Sequence, residues 1–240
     1  MPEDERLSAP EALTALASGQ IELEGRLPWS SNGTFLVRCV SEGGVLPAVY
    51  KPHRGERPLW DFPGGLFRRE VAAYQLSVAL GWSLVPETLV REDAPLGSGS
   101  LQRFVPADFS QHYFTLLDDE ARHDALRAIA VFDLLANNAD RKAGHCLAGV
   151  DGRIWAIDHG LCFHPEPKLR TVIWDFAGDA IPARLLADLA PLAEGLPANL
   201  ADLLAPEEAR GVSARAAGLL ERPRLPAPSP DRRPYPWPLV

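Results

Sequence analysis

The chain of 240 residues is 46% hydrophobic and 23% charged, values typical of an ordinary soluble protein with one large domain or two small lobes. Its formal net charge of −8 argues against general binding to nucleic acid or to anionic membranes, because both need a cationic surface. The three cysteines show no paired spacing, which argues against a disulfide framework and against a structural zinc site.

The first residues of the chain are acidic and lack the apolar core of a signal peptide. No apolar run approaches the length of about eighteen residues that a membrane span requires. We therefore expect a cytoplasmic protein without a membrane span.

The first part of the sequence has the pattern of a small antiparallel sheet. Residues 10–18 predict a short helix that begins with a proline in its first turn and ends at a glycine. Three strands of a meander follow, joined by turns that contain glycine, at residues 21–27, 34–40 and 46–50.

A lysine and a glutamate form a candidate ion pair next to this sheet. Lys51 ends the third strand, and Glu70 lies in the first turn of a helix predicted over residues 67–80. A lysine at a strand end is commonly only solvated, and the helix dipole favours an acidic residue at a helix start, so a purely structural role stays open for both. Residues 52–65, between them, are rich in proline and glycine and predict an ordered loop.

Two further strands, at residues 83–90 and 100–106, complete a five-stranded sheet, and we place the end of the first domain, residues 1–105, within the last of them. Residues 106–221 predict a mainly helical second domain with a central helix over residues 119–135. Asp133 lies in the apolar stretch of that helix, so it needs donors, and the loop that follows is the nearest source.

The end of the chain differs in composition from both domains. Residues 222–240 contain seven prolines in nineteen residues. This composition predicts an extended, mobile tail, or a ligand for a partner that recognises proline-rich segments.

The residues that carry chemistry cluster after the central helix. The helix ends in two asparagines, and the polar loop that follows contains Asp140, Arg141 and His145. A predicted hairpin, whose second strand is residues 153–157, then leads to Asp158-His159-Gly160. If Asp140 and Asp158 face one bound triphosphate, they need a divalent cation between them, because bare negative charges would repel the ligand and each other.

The segment Asn138-x-Asp140-Arg141-x-x-x-His145 resembles the Asn-x-Asp-Arg-x-x-x-Asn loop of the phosphatidylinositol 3-/4-kinase and HipA-like branch of the protein-kinase-like superfamily. The whole chain is similar to an uncharacterised actinobacterial family of that kind. The resemblance implies an α+β fold of the small atypical protein-kinase-like type. Such a fold has two lobes, a five-stranded antiparallel sheet plus a helix over a mainly helical second lobe. The resemblance also implies an ATP-dependent kinase that uses Mg²⁺ or Mn²⁺ and transfers the γ-phosphoryl group to an unknown hydroxyl acceptor, a protein or a small molecule.

The same resemblance implies roles in the chemistry and in metal binding. Asp140 would orient the acceptor hydroxyl or act as the catalytic base, and Arg141 would organise the catalytic loop. Asp158 would hold the metal as the aspartate of an Asp-Phe-Gly motif does, with His159 at the phenylalanine position. His145 stands where the family supplies an asparagine metal ligand, and it is the second candidate ligand.

Binding of the nucleotide would fall to the first domain. Lys51, fixed by Glu70, would be aimed at the α- and β-phosphates. A serine-rich turn would donate hydroxyl and amide hydrogens to phosphate, and the hinge end of the fifth strand would bind adenine through its main chain. The residues concerned are Ser30, Ser31 and Asn32 in the turn and Gln102 and Phe104 in the strand.

Two other functions are compatible with the same residues. The histidine at position 145 and the absence of a glycine-rich phosphate loop suit a pseudokinase, an interaction module without transfer activity. A metal-dependent hydrolase is the second alternative, since carboxylate and imidazole suit Zn²⁺ or Mn²⁺, and its ligands would be Asp140, His145, Asp158 and His159. The hydrolase would give Lys51 no role.

Overall fold

The structure is a computed structural model that describes residues 7–28, 30, 32–230 and 233–240. The chain divides into two compact units. The first contains Met1–Val71 and Pro86–Val105, and the second contains Ala72–Val85 and Pro106–Val240. Residues 72–85, which the sequence assigns to the first domain, thus group with the second unit.

The first unit contains a five-stranded antiparallel sheet, which confirms the predicted α+β class. Its elements in chain order are α1 (Ala9–Ser18), β1 (Gln20–Arg26), β2 (Phe35–Ser41), β3 (Gly44–Pro52), α2 (Leu66–Ala79), β4 (Thr88–Arg91) and β5 (Gly99–Arg103). The spatial order β1-β2-β3-β5-β4 places β3 and β5 in the interior of the sheet. Helix α2 begins in this unit and continues into the second.

The core of the first unit lies between α1 and the sheet. Alternate residues of β2 and β3 contribute to it, because successive side chains of a strand point to opposite faces. Burial of each large apolar side chain contributes about 1.5–3 kcal/mol to folding. The fully buried members include Leu16 of α1, Val37 and Cys39 of β2, and Ala48 and Tyr50 of β3.

Strand β4 is shorter than the sequence predicts, because residues 83–87 are not part of it. Ser83 has a left-handed backbone with φ 50°, and Pro86 has no N–H to donate to a neighbouring strand. The amide of Leu84 instead donates to the hydroxyl of Ser77 at 2.9 Å. A side chain therefore fixes this segment in place of a sheet partner.

The second unit combines a three-stranded antiparallel sheet with several helices. Its elements are β6 (Ala107–Asp108), α3 (Tyr113–Leu116), α4 (His123–Ala136), β7 (Cys146–Gly149), β8 (Ile154–Ala156), α5 (Ala183–Glu194), α6 (Ala198–Ala201) and α7 (Pro206–Glu221). Pro191 lies inside α5, where proline cannot donate the backbone hydrogen bond of that turn. No helix in the described ranges is both long and apolar enough to cross a membrane.

Helix α4 is central to the core of the second unit. Leu126, Ile129 and Leu135 of this helix are completely buried. The helix ends at Asn137, which has φ 51° and so adopts the left-handed conformation that often closes a helix. The chain leaves this cap directly into the loop that carries the candidate catalytic residues.

Described residues of the proline-rich tail form hydrogen bonds with the rest of the second unit. The carbonyl of Pro234 accepts from the amide of Thr171 at 3.0 Å and from the indole of Trp174 at 3.2 Å. The carbonyl of Leu239 accepts from the amide of Ala143 at 2.7 Å, within the candidate catalytic loop. Composition predicts a mobile segment, but it does not reveal these contacts, because proline lacks a donor and still presents a carbonyl acceptor.

Candidate functional site

The predicted ion pair between Lys51 and Glu70 is confirmed within the first unit. Lys51 Nζ lies 2.5 Å from Glu70 Oε1. The side chain of Glu70 is 3% exposed and that of Lys51 is 23% exposed. Because the carboxylate is buried, it holds the ammonium group in one position, which a lysine that binds phosphate requires.

A carboxylate that the sequence analysis missed fixes the start of α2. Glu56 accepts hydrogen bonds from the amides of Gly65 at 2.9 Å and Phe67 at 2.8 Å. The first amides of a helix have no partner inside the helix, so an external acceptor is required. Glu56 thereby orients the helix that carries Glu70. The need of these helix amides for an acceptor could have indicated, from the sequence, an acidic residue in the preceding loop.

The predicted phosphate-binding turn forms contacts within the protein. Ser30 Oγ lies 2.7 Å from Thr34 Oγ1, and Asn32 Oδ1 accepts from the amide of Arg57 at 3.0 Å. Ser31 lies outside the described residues. Phosphate binding by this turn stays a prediction.

Both residues predicted to contact adenine are engaged with the sheet of the first unit. Gln102 Nε2 donates to Thr88 Oγ1 at 2.8 Å. The amide of Phe104 donates to the carbonyl of Pro47 at 2.9 Å. Recognition of adenine by the main chain here stays a prediction, and it would have to use groups other than that amide.

A buried network around Asp133 locks the candidate catalytic loop of the second unit. Arg141 donates to both carboxylate oxygens of Asp133, from Nε and from Nη2, each at 2.9 Å. Asn138 Nδ2 donates to Asp133 Oδ1, also at 2.9 Å. The side chains of Asp133 and Arg141 are 0% exposed. The prediction that Asp133 braces the loop is confirmed.

Arg141 uses all five of its N–H groups inside the protein. Besides Asp133, its partners are the carbonyls of His145 and Ile157 and the Nε2 atom of His159. A guanidinium only donates, so His159 Nε2 must accept, and the proton of this imidazole lies on Nδ1. Burial lowers the pKa of Arg141, but the Asp133 carboxylate more than offsets this and the net pKa is raised. All the donors of Arg141 are therefore committed to contacts within the protein.

The network presents Asp140 at the surface of the loop. The amide of Asp140 donates to Asn138 Oδ1 at 3.0 Å, and Lys142 Nζ lies 3.1 Å from Asp140 Oδ2. Burial raises the pKa of Asp140, and the charge of Asp158 also raises it, against the opposing effect of Lys142. A carboxylate with a raised pKa accepts a proton more readily than an exposed aspartate. The sequence analysis missed Lys142, although its position two residues after the candidate catalytic Asp140 could have indicated this contact.

Asp158 and His145, the two candidate metal ligands, face each other. His145 Nε2 lies 3.4 Å from Asp158 Oδ2, and the Asp158 side chain is 48% exposed. Asp158 has φ 61°, a left-handed conformation that costs a non-glycine residue about 1–3 kcal/mol. Strain of this kind is often found at functional sites. The next residue, His159, is buried and contacts Arg141.

The chemistry of this pair fits a divalent cation. One carboxylate oxygen and one imidazole nitrogen suit Mn²⁺ better than Mg²⁺, which prefers oxygen ligands. Within the described residues, no group of three or more His, Cys, Asp or Glu side chains is arranged to hold a metal ion. A cation at this pair would complete its coordination with phosphate oxygens and water. The hydrolase alternative is weakened, since the buried His159 turns its Nε2 towards Arg141.

Solved structures with this fold include a known kinase. Hydra Fam20, solved with sugar, matches with a TM-score of 0.57 and 13% identity over 89% of this chain and 87% of its own. The Helicobacter pylori proinflammatory kinase CtkA matches with a TM-score of 0.53 and 10% identity over 88% and 94%. HipA from Shewanella oneidensis, in a complex with HipB and operator DNA, reaches a TM-score of only 0.44, which is too low to support a shared fold. The chain has a kinase-like fold.

Similarity in sequence gives a closer relationship. No protein-family model matches the chain. Protein Rv2133c of Mycobacterium tuberculosis is 44% identical over 263 aligned positions, which cover 93% of this chain and 93% of that protein. Identity at this level over nearly the whole of both chains shows common descent. The chain therefore belongs to the family of this mycobacterial protein.

Proposed function

We propose that the chain is an ATP-dependent kinase that transfers the γ-phosphoryl group to a hydroxyl acceptor with Mg²⁺ or Mn²⁺. The observation that carries this proposal is the catalytic loop. Asp140 is fixed by Asn138 and paired with Lys142, while His145 and Asp158 face each other at 3.4 Å. Phosphoryl transfer requires a carboxylate for the acceptor hydroxyl, cations for the phosphates and ligands for a metal. The kinase-like fold supports the proposal without specifying the reaction.

The loop residues of the second unit would act on the acceptor and on the transferred group. Asp140 would accept the hydroxyl proton as the acceptor oxygen bonds to the γ-phosphorus and the bond to the β-phosphate oxygen breaks, releasing ADP. Its raised pKa favours that role. Lys142, 3.1 Å from Asp140, would place its positive charge beside the transferred phosphoryl group.

The nucleotide and the metal would be held by other residues. Lys51, fixed by Glu70, would bind α- and β-phosphate oxygens. Asp158 and His145 would hold the divalent cation, which when bound supplies neutralisation of the phosphate charge.

The experiment that tests the proposal is incubation with ATP and either Mg²⁺ or Mn²⁺, with ADP formation and protein phosphorylation as readouts. The wild-type chain should form ADP and phosphorylate itself or an added acceptor. Asp140→Asn should abolish both products, whereas Asp118→Asn, a change at an exposed aspartate, should leave them unchanged. ADP formation that persists in Asp140→Asn would contradict the assigned role.

His145 favours one second candidate, the pseudokinase. An imidazole replaces the amide that the related loop uses as a hard oxygen ligand, which weakens the case for Mg²⁺-dependent transfer. A pseudokinase would bind ATP but form no ADP with either metal. The same incubation, combined with a binding measurement, separates the two functions.

A further inference from the structure

The second unit contains a cavity that the proposed function does not use. Its volume is about 460 Å³, inside the range of about 300–1,000 Å³ that is typical of small-molecule sites. The exposed residues Ala214 and Ala227 belong to its lining, so the cavity opens to solvent. Its walls are mainly apolar and include Pro165, Leu169, Trp174 and Pro226, together with Arg215 of α7.

Arg215 carries a charge that no carboxylate in the described residues balances. Its Nε donates to the carbonyl of Leu135 at 2.7 Å, and its Nη2 is buried without a hydrogen-bond partner in the described part of the chain. Burial lowers the pKa of Arg215 to about 10. The carbonyl of Leu135 belongs to the last turn of α4, and a helix end offers only about half a negative charge. A buried cation without an anion is costly, so this site favours an anionic partner.

Two other polar side chains at the cavity wall, those of Asn137 and Trp174, already have hydrogen-bond partners. The amide nitrogen of Asn137 donates to the carbonyls of His164 and Glu166, and its oxygen accepts from the amide of Lys168. The indole of Trp174 donates to the main chain of the tail. The Nη2 group of Arg215, by contrast, has no partner among the described residues and so has capacity for a ligand.

Gly211, one helical turn before Arg215, leaves room for the guanidinium group at the cavity wall. Gly211 lies inside α7, where glycine costs about 0.5–1 kcal/mol relative to alanine. A Cβ at this position would lie 2.9 Å from Arg215 Nη1. The glycine thus leaves the space that the guanidinium occupies at the wall.

We propose that this cavity binds a small amphipathic molecule whose single anionic head group, a carboxylate or a phosphate, pairs with Arg215. The apolar body of the ligand would lie against the proline, leucine and tryptophan side chains of the walls. The charge of Arg215 selects an anionic head group, and the cavity volume limits the rest of the ligand to the size of a small molecule. The site is independent of the kinase activity, because none of the residues proposed for transfer lines it.

The test compares three probes that share one eight-carbon body: octanoate, octyl phosphate and octanol. Titration calorimetry of the full chain should show at least one anionic probe binding about ten- to hundredfold more tightly than octanol, the range expected for a charge-assisted hydrogen bond. Comparison of octanoate with octyl phosphate decides between the two head groups. Equal affinity for all three probes, or no binding of either anion below about 10 mM, would overturn the proposal.

Variants assign the binding to this cavity. Arg215→Gln should reduce the affinity for the anionic probe to that of octanol, while Arg210→Gln, at an exposed arginine of the same helix, should have no effect. Arg215→Gln also removes a contact to α4, so Ala214→Trp provides a second variant that fills the cavity and leaves Arg215 in place. Anion binding that is unchanged in Ala214→Trp would place the probe elsewhere and refute the site.

Discussion

Lys51 in the first unit and Arg141 in the second show two ways in which this chain holds a cation. Lys51 is 23% exposed and pairs with a buried glutamate, whereas Arg141 is completely buried and uses every donor on its neighbours. A cation that reaches the surface is available to a ligand, and an enclosed one is committed to the shape of its loop. This difference in exposure is the reason why we propose nucleotide binding for Lys51 and a structural role in the loop for Arg141.

Removal of the carboxylate at the enclosed site should have the largest effect on stability. Asp133→Ala leaves the guanidinium of Arg141 buried without its anion, which costs about 3–5 kcal/mol when a buried pair is broken. Urea denaturation should show this loss. Asp124→Ala on the same helix removes only exposed ion pairs of 3.7 Å, and it should change the free energy of unfolding by less than about 1 kcal/mol. Similar losses in the two variants would mean that the network does not hold the loop.

Disruption of the partly exposed pair of Lys51 and Glu70 should reduce stability less, and it should also reduce nucleotide binding. Lys51→Met removes the ammonium partner of the buried Glu70 carboxylate, a loss of about 1–3 kcal/mol. The variant should also lose affinity for ATP in calorimetry, since the ammonium group would contact phosphate. Arg38→Met, at an exposed position on the neighbouring strand β2, is the matched control and should bind ATP normally. Normal ATP affinity in Lys51→Met would reduce this lysine to a structural role.

Asp140 should show a conflict between stability and activity. Because its folded-state pKa is raised, its contribution to stability is present below the unfolded pKa and is lost as the pH rises through the folded pKa. At pH 7 the charged carboxylate is therefore destabilising, and Asp140→Asn should unfold at a higher temperature than the wild type. Melting curves from pH 3 to 8 should show that this difference disappears at acid pH. A variant that is less stable at pH 7 would contradict the direction of the shift.

His145 should affect the choice of metal more than stability. If its imidazole is a ligand, ATP binding by the wild type should be stronger with Mn²⁺ than with Mg²⁺, because Mg²⁺ accepts nitrogen ligands poorly. His145→Asn would offer an amide oxygen and should shift the preference towards Mg²⁺. Parallel titrations with the two metals measure the ratio. An unchanged ratio would show that His145 only packs beside Asp158.

Contacts that follow from spacing could be predicted from the sequence. Alternation along residues 21–50 gives the meander, and the strand and helix that carry Lys51 and Glu70 give their pairing. Asp133 in an apolar helix requires donors, and the next loop contains them. These inferences succeed because each depends on one local period or on one unsatisfied group.

Contacts made by residues distant in sequence could not be predicted in the same way. Nothing local indicates that the carbonyl of Leu239 meets the amide of Ala143. The charge of Arg215 became informative only when the described residues around it showed no balancing carboxylate. Residues 83–87 were predicted as part of a strand, yet the hydroxyl of Ser77 replaces a strand partner. Tertiary context decides each of these cases.

Thermal unfolding with nucleotide tests the central claim most directly. A ligand at a hundredfold excess over its dissociation constant stabilises the native state by about 2.7 kcal/mol, which raises the Tm of a chain of this size by roughly 5–10 °C. We predict such a rise with Mn-ATP or Mg-ATP for the wild type and a smaller rise for Asp158→Asn, which lacks a carboxylate for the cation. If saturating Mg-ATP and Mn-ATP both leave the Tm of the wild type unchanged, the chain has no nucleotide site of the proposed kind.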